Sequence, residues 1–239
     1  MDKIFDFTYM VKCIPKLIPY LSATMMVTVI SMLFGLLVGF FIAIVKIYKI
    51  SVLRQIAMVY VSFVRGTPLL VQLYLIYFGM PKFLYFFQIK YGWFENINVN
   101  VIPPEYYAIL AFSVNLGAYL SETIRSSIEA VDRGQFEAAN SIGMSQAQIM
   151  LKIVLPQALI VAIPNLGNTL ISTVKDTSLI FMIGIVDIMG EAKIIGARGL
   201  AFFEIYIAVS IIYWFICIIL EKCLNLLEKR SRIFERSVV

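Results

Sequence analysis

Long runs of apolar residues without charge constrain this chain more than any other feature. The run from Leu17 to Val45 contains no Asp, Glu, Lys or Arg, and it is longer than the roughly 20 residues that an α-helix needs to cross a bilayer. Four further runs each hold at most one charged residue, and they cover residues 55–80, 99–121, 153–174 and 199–220. The sequence therefore predicts five membrane spans.

The composition supports an all-α integral membrane protein. Of the 239 residues, 61% are hydrophobic and 15% are charged, whereas a soluble domain carries about 25% charged residues. We predict one transmembrane domain over residues 1–239, with helices at about 17–45, 56–80, 103–125, 157–175 and 200–221. A polar segment, residues 126–156, separates the third helix from the fourth.

Positive charges predict the orientation of these helices. Lys46, Lys49 and Arg54 follow the first span with no acidic residue between them, and the C-terminal tail carries Lys222, Lys229, Arg230, Arg232 and Arg236. Short loops rich in Lys and Arg remain in the cytoplasm. The N-terminus is thus predicted outside, with the C-terminus and residues 126–156 in the cytoplasm. These flanks and anionic lipid account for the net charge of +5, which gives no indication of nucleic-acid binding.

The end of the polar segment carries local signals for two helices. The periodicity over 121–142 predicts a helix that ends at Gly143. Ser145 and Gln148 have the spacing of a capping box, which starts a new helix. Pro156 disfavours helical geometry at the residue before it and predicts a bend. Periodicity alone leaves open whether this segment lies on the membrane surface or docks on a partner.

The spacing E-A-A-x3-G-x9-I-x-L-P identifies the segment further. It is formed by Glu137, Ala138, Ala139, Gly143, Ile153, Leu155 and Pro156. The pattern resembles the EAA motif of permease subunits of bacterial ATP-binding-cassette (ABC) importers. The resemblance implies that the segment is a coupling helix, which inserts into a groove on a separate ATPase subunit in the cytoplasm.

Other stretches resemble one branch of these permeases. "RGTPLLVQLYLIYFG" (65–79) and "KDTSLI" (175–180) are similar to permeases for polar amino acids, and "VDIMGEAKIIGA" (186–197) is most similar to those for cystine. The resemblance implies a bacterial cytoplasmic membrane location, a second permease subunit and an extracytoplasmic solute-binding protein. L-cystine is the first candidate substrate, with arginine, lysine or glutamine as alternatives. A homodimer and a pair of similar permeases remain equally open.

Polar residues inside the second predicted span are candidates for the transport path. Arg65 precedes Pro68, and a proline in a span frees a backbone carbonyl that can line a cavity. A cation at this position suits a substrate carboxylate, although snorkelling or a structural ion pair explains Arg65 equally well. Thr67 and Leu69 are candidates beside it. For Gln72, interhelical hydrogen bonding is as good an explanation as substrate contact.

Asp176, Thr177 and Ser178 form the second group of candidates, at the end of the fourth predicted span. A carboxylate there can take the α-ammonium of an amino acid. Asp176 is also a competent N-cap for a following short helix. Both interpretations are open from the residues, and the resemblance favours substrate contact.

Several activities lack their usual residues in this sequence. The chain contains no histidine, so the Ser-His and Cys-His nucleophile systems and the commonest metal ligand are missing. It also contains no G-x4-G-K-[ST] motif, the loop that cradles ATP phosphates. We therefore predict no catalytic residue, no metal site and no cofactor, with ATP bound by the partner subunit. A membrane-embedded enzyme and a stand-alone ion-coupled carrier are the alternative classes.

Overall fold

The computed structural model describes residues 5–93 and 98–238, and in those ranges every regular element is helical. The α-helices are α1 (Phe7–Leu17), α2 (Leu21–Ile47), α3 (Ser51–Gly66), α4 (Leu69–Tyr91), α5 (Pro104–Glu129), α6 (Arg133–Ser141), α7 (Gln146–Ile149), α8 (Leu155–Asp176), α9 (Ile188–Gly199) and α10 (Phe202–Val238). Short 3-10 helices cover Ile18–Tyr20, Val99–Val101 and Thr177–Ile183, and a π-helix covers Met150–Val154. The predicted all-α fold is confirmed.

Four helical stretches of the described chain are long and apolar enough to cross a membrane. They are Phe7–Ile47, Leu69–Tyr91, Gln146–Ile183 and Phe202–Ser231. The third predicted span falls on α5, whose 26 residues extend about 39 Å, but α5 is not among the four. It packs against α2, α3, α4 and α8, and a helix covered by protein needs less apolar surface than one that faces lipid. The count of five spans stays a prediction.

The centre of the fold is the pair α2 and α5. Small residues at every fourth position of α2 are buried against α5, and they are Ser31, Gly35, Gly39 and Ala43. A Cβ placed on Gly35 would lie 2.6 Å from Leu116 Cβ of α5, which is far inside normal contact. A stripe of small residues lets two membrane helices approach closely, so this stripe sets the distance between α2 and α5.

The helix predicted over 56–80 is wrong as one element, because the structure contains two helices there. Helix α3 ends at Gly66 and α4 begins at Leu69. Between them Thr67 is extended, with φ −120° and ψ 144°, since the residue before a proline is pushed out of helical geometry. The apolar helix then continues to Tyr91, well beyond the predicted end.

The other predicted spans fall on single helices, with extensions that the sequence patterns did not show. Helix α10 continues past residue 221, and the unpredicted α1 and α9 flank the bundle. Cys13 and Leu17 of α1 belong to one buried cluster with Ile188 and Ala192 of α9 and Ile205 of α10. Helices α1 and α9 are therefore anchored to the start of α10 by apolar packing.

Candidate substrate cavity and coupling surface

The break between α3 and α4 leaves backbone carbonyls at the end of α3 without helical partners. Gln72 supplies the missing hydrogen-bond partner. Its Nε2 donates to the Val64 carbonyl at 2.7 Å, the Thr67 carbonyl at 3.0 Å and Thr67 Oγ1 at 2.8 Å. Its Oε1 accepts from Asn115 Nδ2 at 3.0 Å. The side chain is only 5% exposed. Gln72 thus joins α3, α4 and α5, which favours the interhelical role over substrate contact.

A polar cavity of about 550 Å³ opens beside this break. Three parts of the fold line it: the α3–α4 break through Thr67, Pro68 and Leu69; α5 through Asn115, Leu116, Tyr119 and Thr123; and α8 through Asn165, Asn168, Thr169, Ser172, Thr173 and Asp176. Polar side chains grouped around a cavity in a membrane domain mark a path or binding site for a polar solute. Amides and hydroxyls make up most of this wall, and Asp176 is the one charged group among the described residues that line it.

Asp176 is the last residue of α8 and faces this cavity. Its side chain makes no capping hydrogen bond to the 3-10 helix that follows, so the N-cap alternative does not describe the structure. The two neighbouring candidates do not line the cavity. Thr177 is buried and donates to the Val174 carbonyl at 2.6 Å, and Ser178 is half-buried.

Arg65 lies next to the cavity without lining it. Its guanidinium carbon is 5.4 Å from the centroid of the Tyr119 ring, a cation–π distance, and Tyr119 is part of the cavity wall. Arg65 is also in the last turn of α3, where the helix dipole favours a cation. Of the candidates in this region, Thr67 and Leu69 reach the cavity directly and Arg65 reaches it through Tyr119.

Most of the α8 wall was missed by the sequence reasoning, although a signal exists. The polar residues of α8 follow one another at intervals of three and one, as Asn165, Asn168, Thr169, Ser172, Thr173 and Asp176. This spacing keeps polar groups on one face of a helix. Such a face in an apolar span indicates that the helix borders a cavity, and the pattern was detectable without a structure.

The turn and cap predicted in the polar segment are confirmed. Gly143 has φ 81°, a left-handed conformation that glycine adopts without steric cost. Ser145 Oγ accepts from the Gln148 backbone N–H at 3.3 Å, and Gln148 Oε1 accepts from the Ser145 N–H at 2.9 Å. The capping box starts α7 as the pattern predicted.

The prediction that Pro156 takes Leu155 out of helical geometry is wrong, because the helix continues through it. Leu155 is helical, with φ −60° and ψ −42°, and its N–H donates to the Met150 carbonyl five residues earlier. A proline has no N–H for the carbonyl four residues before it. The chain absorbs this loss in the π-helix Met150–Val154, which shifts the hydrogen-bond register.

The residues of the E-A-A-x3-G-x9-I-x-L-P pattern divide between an inner and an outer surface. Ala139 is 3% exposed and belongs to a small apolar cluster formed by the end of α5, the polar segment and the start of α8, while Ile153 and Leu155 pack at its edge. The outward-facing pattern residues are Glu137, Ala138, Gly143 and Pro156. Ile142, missed by the sequence reasoning, is 78% exposed beside them. We call Glu137, Ala138, Ile142 and Gly143 the coupling surface.

Comparison with known proteins places this chain in a family. Residues 35–233 match the binding-protein-dependent transport system inner membrane component family. The chain belongs to this family, and it is therefore a multi-pass membrane permease component of an ABC transporter rather than an enzyme. Permeases of this class work with an ATPase and a binding protein. The class predicted from the sequence is confirmed.

Individual relatives are similar over nearly the whole chain. The L-cystine transport system permease protein TcyL of Bacillus subtilis (strain 168) is 38% identical over 232 residues, which are 97% of this chain and 94% of the relative. The putative glutamine transport system permease protein GlnP of Rickettsia bellii (strain RML369-C) is 36% identical over 227 residues, 94% and 98% of the two chains. The crystal structure of an amino acid ABC transporter with histidines superposes with a TM-score of 0.82 at 37% identity, covering 95% of this chain and 100% of the other.

Proposed function

We propose that this chain is the membrane-spanning subunit of an ATP-driven amino-acid importer, with L-cystine as the first candidate substrate. The polar cavity of about 550 Å³ carries the proposal. Its amides and hydroxyls offer donors and acceptors for a zwitterion, and Asp176 supplies the negative charge that an α-ammonium requires. The similarity to amino-acid permeases, including an L-cystine permease, supports this choice.

Cystine and its competitors are distinguished by uptake. A similar permease is named for glutamine, and a carboxylate in the cavity also suits arginine or lysine. We expect unlabelled L-cystine to compete with labelled L-cystine at far lower concentration than L-arginine, L-lysine or L-glutamine. Stronger competition by any of these three would reassign the substrate while leaving the importer proposal intact.

The role of Asp176 is tested by Asp176→Asn, which keeps the shape of the side chain and removes its charge. We expect the KM for uptake to rise about tenfold or more, since a hydrogen bond to a charged group contributes about 1.5–3 kcal/mol. Ser178→Ala is the matched control, because Ser178 lies two residues away and outside the cavity wall. An unchanged KM in Asp176→Asn would contradict the substrate role.

The coupling surface is proposed to dock on the ATPase, which binds ATP on behalf of this chain. Ile142 supports this role because an isoleucine exposed on a polar segment is stabilised when a partner buries it. Docking from the cytoplasm requires residues 126–156 and the C-terminus to be cytoplasmic and the N-terminus outside. The binding protein then delivers substrate at the opposite face, and lipid surrounds the spans.

Copurification tests this arrangement. We expect an ATPase subunit to copurify with the chain, and Gly143→Trp to lower transport-coupled ATP hydrolysis because a bulky side chain then occupies the docking surface. Full substrate uptake by the chain alone in liposomes would refute the proposal and favour an ion-coupled carrier.

A second permease subunit is proposed to complete the transport path, since oligomers of this kind usually have two-fold symmetry. Copurification of differently tagged copies distinguishes the two forms of dimer. Recovery of both tags in one complex indicates a homodimer. Recovery of a related permease with only one tag indicates a heterodimer.

A further inference from the structure

An apolar groove runs between α2, α5 and α8, apart from the polar cavity. Its wall is formed by parts of residues 33–40 of α2, 124–128 of α5 and 155–166 of α8. Ala158 and Ala162 are buried at its floor, whereas Leu33, Leu37 and Leu159 at its rim are more than half exposed. The walls on α2 and α8 belong to helical stretches that are apolar enough to cross a membrane. The groove therefore lies within the bilayer and is open on one side.

The size of the groove matches one acyl chain. Along α8 the groove extends from Leu155 to Leu166, about 16 Å, and the acyl chains of one leaflet cover about 15 Å, half of the hydrocarbon thickness. Its volume of about 650 Å³, divided by this length, gives a mean cross-section of about 40 Å², or about 7 Å across. An α-helix with its side chains is about 10–12 Å wide. The groove is therefore long enough for an acyl chain and too narrow to seat a helix.

Ser127 is the one polar side chain among the described residues that line the groove, and its hydroxyl has no partner. The residue is 2% exposed, and its Oγ makes no hydrogen bond within the described part of the chain. The adjacent Ser126, by contrast, donates to the Thr123 carbonyl at 3.0 Å. A buried hydroxyl without a partner is costly, and a water molecule there would need about two to four polar groups, of which the side chains of the groove supply one. The hydroxyl therefore requires an acceptor carried by an otherwise apolar ligand.

A basic side chain lies beyond the same end of the groove as this hydroxyl. Ser127 is two residues before the end of α5, Leu155 is the first residue of α8, and Ile128 and Ala158 join these two helix ends in one apolar cluster. Lys152 precedes Leu155 by three residues, or about 5 Å. It is exposed, and it forms no ion pair with the residues that the structure describes. Basic residues at the ends of membrane helices attract anionic headgroups.

We propose that this groove binds one acyl chain of a membrane phospholipid. The acyl chain lies along α8 from Leu155 to Leu166, its ester carbonyl accepts from the Ser127 hydroxyl, and the phosphate lies at the level of Lys152. This order is the one in which a bilayer places these groups, with hydrocarbon in the core, the ester at its edge and the phosphate in the headgroup zone. Because of Lys152, an anionic lipid such as phosphatidylglycerol is preferred over a zwitterionic one.

A phosphatidylglycerol with a photoreactive diazirine on its acyl chain tests the position of the site. In the complete transporter reconstituted in membranes, we expect the label on residues 33–40 and 155–166. Ala162→Phe fills the floor of the groove and should remove most of that label. Val161→Phe is the matched control and should retain it, because Val161 is the neighbouring residue of α8, is exposed and lies outside the groove wall.

Native mass spectrometry of the purified complex, which counts bound lipids, tests the two polar contacts. Ser127→Ala should weaken phosphatidylglycerol binding about two- to tenfold, the effect of one hydrogen bond, whereas Ser126→Ala should leave it unchanged. Lys152→Gln should weaken phosphatidylglycerol binding about fivefold and leave phosphatidylcholine binding unchanged. Lys175→Gln is the control for charge, because Lys175 is exposed at the opposite end of α8.

Each contrary result identifies what is wrong. Equal labelling of Ala162→Phe and Val161→Phe overturns the site, because the label then marks bulk lipid. If Ala162→Phe does not fold, Ser127→Ala decides, and lipid binding equal to that of Ser126→Ala overturns the proposal. A groove without label, together with loss of the dimer in Ala162→Phe, overturns it in favour of a second copy of this chain. An unchanged lipid preference in Lys152→Gln overturns the phosphate contact. All these measurements follow lipid alone, so their outcome is separate from that of the proposed amino-acid transport.

Discussion

Replacing Gln72 with methionine tests how the break between α3 and α4 is stabilised. Methionine is unbranched and close to glutamine in length, so Gln72→Met removes the amide with little change in shape. The change leaves the Val64 and Thr67 carbonyls without the Gln72 donor, and Asn115 Nδ2 without its acceptor. Helix α3 cannot satisfy the Val64 carbonyl itself, because Pro68, four residues further on, has no N–H. The Thr67 carbonyl lies in the extended link beyond the end of α3.

The cost can be divided according to which groups water can reach. Thr67 and Asn115 line the cavity, so water can replace the amide there at modest cost. Val64 is 3% exposed, and its carbonyl has no such substitute. A buried group left unsatisfied costs about 1–3 kcal/mol, and we expect a total of about 2–4 kcal/mol for the three groups. This is a large share of the roughly 5–15 kcal/mol that stabilises a typical domain.

Thermal unfolding of the purified complex in lipid-containing micelles measures this loss. We expect the unfolding temperature of Gln72→Met to fall by roughly 5–10 °C, and its KM for uptake to rise several-fold because Asn115 loses its anchor. Gln55→Met is the matched control, since Gln55 is exposed on α3. A variant with unchanged unfolding temperature and unchanged KM would show that the Gln72 bonds do not support the break.

Three further changes test other parts of the structure. Gly143→Val should lower coupled ATP hydrolysis several-fold, because φ 81° costs a β-branched residue about 1–2 kcal/mol; Gly143→Asn, which tolerates this conformation, should retain most activity. Gly35→Ala should sharply reduce the yield of folded protein by pushing α2 from α5, whereas Gly79→Ala, with no atom within 4 Å of the added Cβ, should not. Pro156→Ala restores an N–H and lets the π-helix become α-helical, so the ATP hydrolysed per substrate transported should rise while substrate KM stays constant.

Features that depend on neighbouring residues were predictable from the sequence. The left-handed turn at Gly143 needs a backbone conformation that glycine adopts without steric cost. The capping box at Ser145 needs two suitable side chains three residues apart. Each signal therefore lies within a few residues. Most of the apolar runs located helices for a similar reason, since spanning length and lack of charge are properties of one segment. The fold class and the approximate position of most long helices followed from such local information.

Features that depend on distant partners were not predictable in this way. The break at Thr67 required knowing that Gln72 and Asn115 would satisfy the freed groups, and Asn115 is 43 positions from Gln72. The cavity likewise draws its wall from three separated regions of the chain. Arg65 was the most conspicuous charge in a span, but its guanidinium ended against Tyr119 rather than in the cavity. Charge alone therefore did not separate Arg65, which lies outside the cavity wall, from Asp176, which lines it.

Pro68 and Pro156 both lack a backbone N–H, and the structure compensates for this loss in two different ways. At Pro68 the helix ends and a buried glutamine replaces the missing donor, which leaves the chain open beside the cavity. At Pro156 the helix continues through a π-helical register, and α8 follows directly as a helix of 22 residues with Pro164 inside it, about 33 Å long. Helix α8 therefore starts next to the coupling surface and ends at Asp176 in the cavity. One helix therefore carries the register change at Pro156 at its start and the polar face of the cavity at its end, so the two proposed sites share a single element.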